Sequence, residues 1–196
     1  GDWSSDVCSS DLDVLVGNSG AQNAGYINDG STVFSAATKK DFGTGSDATQ
    51  VLVVGDIDGD GDLDVGVGNN GAQNVGYLND GSGNFAAGIK NFGTSSDATH
   101  ALVLGDVDGD GDLDAAVGND AQQNAVYLND GLGNFTAGTK NFGTGSDATQ
   151  ALFLADADGD GDLDVGVGNN AQQNAAYLND GAGNFAAGIK NFGTGT

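Results

Sequence analysis

The chain has no arginine, no glutamate, one histidine, one cysteine and only five lysines, and each shortage excludes a class of function. A lone cysteine, Cys8, cannot build a disulfide framework, so bridges do not hold this fold and say nothing of its redox compartment. With His100 as the only imidazole, no Ser-His-Asp set can form, and the equivalent positions one repeat away are Gln50 and Gln150, which marks His100 as a tolerated substitution. Five cations against a formal charge of −23 repel nucleic acid and anionic membrane, both of which need Lys or Arg to neutralise phosphate. No apolar run approaches the roughly 18 residues of a transmembrane helix, so no membrane insertion is expected in this stretch.

What the chain does have is aspartate in one repeated phrase. D-x-D-G-D-G-D-L-D stands at 56–64, 106–114 and 156–164. Carboxylates at alternate positions repel one another, and that spacing makes sense when a hard divalent cation neutralises them. In a loop of the EF-hand kind the ligands come from positions 1, 3 and 5, a backbone carbonyl at 7, and position 9, with Gly at 6 for the sharp turn. Those positions are Asp56, Asp58, Asp60, the carbonyl of Asp62, and Asp64 around Gly61. The second copy supplies Asp106, Asp108, Asp110, Asp112 and Asp114 around Gly111, and the third Asp156, Asp158, Asp160, Asp162 and Asp164 around Gly161. An EF-hand also needs a bidentate Glu at position 12 and flanking helices, whereas position 12 here is Val67, Val117 or Val167. The flanks, V-L-V-V-G before and L-D-V-G-V-G-N after, read as two short strands, so the expected metal loop closes a β-hairpin. The implied cofactor is Ca²⁺, about three ions, one per complete loop.

Shifting the chain by fifty residues superimposes Asp56 on Asp106 and Asp156, Tyr77 on Tyr127 and Tyr177, and Phe92 on Phe142 and Phe192. Turn signals cut each unit into four short apolar runs, in the first full copy Gln50 to Gly55, Leu63 to Gly68, Asn74 to Leu78 and Phe85 to Lys90. The breakers are the acidic loop, N-N-G-A-Q at 69–73, and Asn79-Asp80-Gly81-Ser82-Gly83-Asn84 with its D-G hairpin signal. Four strands per repeat define a propeller blade. The fold class expected is all-β, a partial β-propeller of four-stranded antiparallel blades. Its units are a truncated first blade at 13–49 and blades at 50–99, 100–149 and 150–196.

F-G-T, an apolar strand, D-x-D-G-D-G-D-L-D and then V-G-V-G-N together resemble the FG-GAP repeat, also called the VCBS repeat, a family that includes the integrin α-subunit propeller. The likeness covers nearly the whole chain, though the second half ends in G-N-N or G-N-D where the family's usual motif has G-A-P. It implies calcium in the loop between the first and second strands of each blade, on one face of the disc, with ligands on the opposite face. It also implies a scaffold, a role open to many activities.

The first repeat starts late. Asp11-Leu12-Asp13-Val14 aligns with Asp62-Leu63-Asp64-Val65 at a shift of 51, whereas Phe42 returns to 50, which points to one extra residue around Thr38-Lys39-Lys40-Asp41. Residues 2–12 resemble the translation of a sequencing adapter, and the only Trp and the only Cys fall there. They lack the basic start and apolar core of a signal peptide. The chain is expected to be a fragment of a longer array, with an open edge closed by further blades, by another copy, or not at all.

Recurring Tyr77, Phe85 and Phe92 are expected in the core between blades. The amides Gln73-Asn74, Gln123-Asn124 and Gln173-Asn174 are expected to satisfy turns, with a sugar-binding face as the alternative. Lys90, Lys140 and Lys190 are expected on an outer strand, where charge discourages edge pairing. The clustered aspartates are claimed by metal, which leaves no acid-base pair for catalysis, so no enzyme is expected in this stretch. Three functional readings follow: an extracellular or surface-displayed calcium-stabilised scaffold for adhesion or protein-protein assembly, with self-association through open blade edges; a carbohydrate-binding module; or an accessory propeller of a larger secreted enzyme. Calcium abundant outside the cell, where modules bind it at about 10⁻⁴–10⁻³ M, favours an extracellular home.

Overall fold

The computed structural model describes residues 13–28, 39–86, 88–136, 138–185 and 188–193. The adapter-like stretch and the start of the first acidic loop lie outside them. The described residues form fifteen strands and no helix, arranged as four antiparallel sheets in chain order. The first sheet has three strands, β1 (Val14–Val16), β2 (Asn23–Tyr26) and β3 (Lys39–Phe42). The first full repeat of the pattern is β4 (Thr49–Gly55), β5 (Asp64–Asn69), β6 (Asn74–Leu78) and β7 (Gly88–Phe92). It is followed by β8 (Thr99–Gly105), β9 (Asp114–Asn119), β10 (Asn124–Leu128) and β11 (Gly138–Phe142), and then by β12 (Thr149–Ala155), β13 (Asp164–Asn169), β14 (Asn174–Leu178) and β15 (Gly188–Phe192). Each sheet is a simple meander, as a propeller blade requires.

The second strand of each full sheet is buried nearly end to end. Its alternating Val and Gly or Ala let neighbouring sheets approach closely: a Cβ at Gly68 would lie 2.8 Å from the Thr99 methyl of the next sheet. The acidic phrase joins the first two strands, whose last pairs are Gly55↔Asp64, Gly105↔Asp114 and Ala155↔Asp164. The fourth strand differs from expectation. It starts at Gly88, not Phe85; Gly88 pairs with Leu78, and a Cβ there would fall 2.4 Å from the Leu78 Cβ, so the position suits glycine. Phe85 precedes the strand as a buried plug. In the first sheet the ladder runs without a break from Asn23↔Phe42 to Tyr26↔Lys39, so the extra residue lies between Tyr26 and Lys39 and not within 39–41.

The core sits between sheets. Each hydrophobic cluster draws on two consecutive repeats. The Phe that ends one repeat is held by a Tyr and a Phe of the next: Phe42 lies 5.3 Å from both Tyr77 and Phe85, Phe92 5.5 Å from Tyr127 and 4.6 Å from Phe135, and Phe142 5.6 Å from Tyr177 and 5.5 Å from Phe185. These offset and edge contacts add to simple burial.

A buried polar chain threads the same junctions. Asn23 donates to Thr49 Oγ1, which donates to Asn69 Oδ1; Asn74 donates to Thr99, which donates to Asn119; Asn124 donates to Thr149, which donates to Asn169. Bridges Ser19↔Ala48, Asn70↔Ala98 and Asp120↔Ala148 join successive repeats alongside it. Lys40, Lys90 and Lys140 stand on the last strand of their sheets and donate across the junction to Asn84, Asn134 and Asn184. The turn amides serve the backbone: Gln73 donates to the Gly93 carbonyl and Gln123 to that of Gly143. His100 lies between Asn70 and Gln150 on the exposed edge.

Candidate metal centre

At the sixth loop position the backbone takes φ values of 96°, 99° and 102° at Gly61, Gly111 and Gly161, a region an L side chain rarely enters. That turn folds each loop back on its first residue. Gly61 N–H donates to Asp56 Oδ2, Gly111 N–H to Asp106 Oδ2 and Gly161 N–H to Asp156 Oδ2, each at 3.1 Å. The result is three convergent carboxylate sets, Asp56-Asp58-Asp64, Asp106-Asp108-Asp114 and Asp156-Asp158-Asp164, each offering one oxygen within 4.8 Å of the others.

The ninth-position carboxylate is the anchor. Asp64 is fully buried, and its oxygens accept from Ile57 N–H and Asn79 N–H, both at 2.7 Å. Asp114 repeats this with Val107 and Asn129, and Asp164 with Ala157 and Asn179. Burial outweighs those hydrogen bonds and pushes Asp64 and Asp114 up to about 6. Burial, then the neighbouring charge of Asp60 or Asp110, also raises Asp58 and Asp108, and burial and Asp160 raise Asp158.

The fifth-position residues stand apart from the convergent sets. Asp60, Asp110 and Asp160 accept through Oδ1 from the N–H of Asp62, Asp112 and Asp162, at 2.9–3.0 Å. Asp62, Asp112 and Asp162 point their carboxylates at the turn after the third strand, where a Cβ added at Gly81, Gly131 or Gly181 would meet them at 2.6–2.7 Å. The loop pattern expects only the carbonyls of these three residues as ligands.

The loops fit a cation. Asp56 Oδ1, Asp58 Oδ1 and Asp108 Oδ1 are buried oxygens without a hydrogen-bond donor. Buried acceptors are normally paired, and an unpaired carboxylate oxygen is costly. Like charges about 4 Å apart near a protein surface repel by roughly 4 kcal/mol, so converging three of them calls for a compensating positive charge. An all-oxygen donor set of this kind suits a hard divalent ion.

Two participants escaped the sequence reading: the second loop residue, whose N–H fixes the anchor, and the Asn that opens the turn after the third strand. Asn79, Asn129 and Asn179 read as ordinary hairpin residues. Their recurrence in one register was the available signal, but the partners that give them a role lie fifteen or more residues away.

Blades of this build, stacked through shared aromatic and Asn-Thr junctions, define a propeller-type repeat protein. The FG-GAP-like repeat family matches the chain over residues 10–67, 56–117 and 106–167, and the chain belongs to that family. No curated protein matches it.

Proposed function

We propose that the chain is a calcium-binding FG-GAP/VCBS repeat scaffold that works outside the cell or on its surface in adhesion or protein-protein assembly. The observation that carries the metal reading is the set of donorless oxygens on Asp56, Asp58 and Asp108 inside carboxylate clusters repeated three times. Asp56, Asp58 and Asp64 and their copies would hold the ion, with the fifth-position aspartates and the seventh-position carbonyls close in sequence to complete the shell. The ion supplies charge neutralisation and loop closure, not an activated nucleophile, and we read the chain as non-catalytic. The strongly acidic surface argues against nucleic acid as a partner. No helix among the described residues is long and apolar enough to cross a membrane.

Calorimetric titration of the full chain with calcium tests this. Three ions bound with dissociation constants near 10⁻³–10⁻⁴ M, the range of extracellular modules, would support the reading, and no binding at 10 mM would overturn it.

A second reading, a small neutral glycan as ligand, is favoured by an open cleft of about 630 Å³ between the first two sheets, lined by Phe42, Tyr77, Asp47, Gln22, Gln73 and Asn91. Binding to a glycan array would select it over a protein partner.

A further inference from the structure

Asn129 joins two acidic loops that belong to different repeats. Its backbone N–H donates to Asp114 Oδ1 at 2.9 Å, and its side-chain amide donates to the Leu113 carbonyl at 3.1 Å, both in the loop of its own repeat. The same amide donates at 2.7 Å to the carbonyl of Ile57, seventy-two residues earlier in the loop of the preceding repeat. Asn179 repeats the arrangement one unit on, with Asp164 at 2.8 Å, Leu163 at 3.1 Å and Val107 at 2.7 Å.

Ile57 is no bystander in its loop. It stands between the convergent residues Asp56 and Asp58, its N–H is fixed by Asp64, and its side chain is buried against the next repeat with Phe92 and Phe135. The turn that carries Asn129 also lies on that loop, with the Gly131 carbonyl 3.9 Å from a Cβ placed at Gly59. One residue and two hydrogen bonds therefore separate the anchor carboxylate of one loop from the backbone of the loop before it. When repulsion among Asp56, Asp58 and Asp64 is relieved, Ile57 is held where Asn129 needs its carbonyl, and a fixed Asn129 in turn presents its N–H to Asp114.

We infer that calcium binding is cooperative between adjacent repeats, with Asn129 and Asn179 as the positioning residues that transmit it. This rests on the calcium reading above. Coupling between sites needs a shared element whose ordering both ligands favour, and here the element is the loop-turn-loop contact. The array then orders from blade to blade, as expected when each repeat is stabilised by its neighbours.

The test is calcium titration of the full chain, with bound ions counted by native mass spectrometry. The expected result is three ions with a Hill coefficient above about 1.5. Disabling the middle loop with Asp108→Asn should weaken the loops at 56–64 and 156–164 by about fivefold or more, the lower end of typical coupling. In Asn129→Asp/Asn179→Asp, which keeps the side-chain acceptor of the turn and removes the donor, adding Asp108→Asn should leave those two affinities unchanged. A merely loosened fold would weaken every site and still let Asp108→Asn add its cost. Three ions bound independently, with the outer loops indifferent to Asp108→Asn, would overturn the coupling and leave the calcium reading standing; no ions in the unaltered chain would overturn both. Should the double Asn variant fail to fold, the effect of Asp108→Asn on the outer loops decides by itself.

Discussion

The amide of Asn74 donates to the Thr99 hydroxyl at 3.0 Å across the junction between two sheets, and that hydroxyl donates onward to Asn119 Oδ1 at 2.9 Å. Thr99 is fully buried. Thr99→Val keeps the shape and removes the link, leaving one buried donor and one acceptor unpaired at roughly 1–3 kcal/mol each. The expected loss is about 2–6 kcal/mol in urea denaturation at fixed calcium. Thr99→Ser retains the hydroxyl and loses only a methyl, at about 1 kcal/mol. Equal losses for the two variants would refute a stabilising role for the hydrogen bonds.

Ala121 and Ala171 hold φ values of 53° and 54°, where the matching residue of the first full repeat is Gly71 at 78°. The left-handed region costs a non-glycine residue roughly 1–2 kcal/mol, and a glycine there gives back part of that through its greater freedom when unfolded. Ala121→Gly and Ala171→Gly are therefore expected to stabilise the chain by about 0.5–1 kcal/mol each, additively. A fall in melting temperature for either would show that the Ala methyl contributes more than the strain costs.

Much of this architecture is legible in the sequence because its causes are local. Asn74–Leu78 was delimited by its flanking turn residues and is β6 to the residue, and the fifty-residue shift reproduces all three full sheets. The acidic loops were legible for the same reason, since alternate carboxylates around a glycine carry their chemistry in spacing alone. Phe85 is placed in the strand by its sequence because an apolar residue beside a strand looks like part of it, whereas the ladder with the third strand begins at Gly88, opposite Leu78. The Asn-Thr chain and the reach of Asn129 to Ile57 were not legible, because the partners lie 20 to 72 residues apart and each residue taken singly passes for turn chemistry.

Asp58 should change sign with calcium. One of its oxygens is buried without a donor, and burial and Asp60 already disfavour its charge. In chelator, Asp58→Asn removes a repelling charge and is expected to raise the melting temperature. With calcium in excess it removes a ligand, and because stabilisation follows ligand concentration over dissociation constant, the melting temperature should fall below that of the unaltered chain. A variant that melts higher in both conditions would remove Asp58 from the ligand set.

Acid should also act in opposite senses with and without the ion. The folded values of Asp64 and Asp114 lie at about 6, above the unfolded value near 3.9, so protons bind the folded state more tightly. In chelator this contribution to stability is fully present below about 4 and is lost as pH rises through 6. Melting temperature in chelator should therefore climb as pH falls from 7 toward 5. With calcium in excess, protons compete with the ion for the same carboxylates, and the same acidification should lower the melting temperature. Matching pH profiles in chelator and in calcium would detach these two buried carboxylates from metal binding.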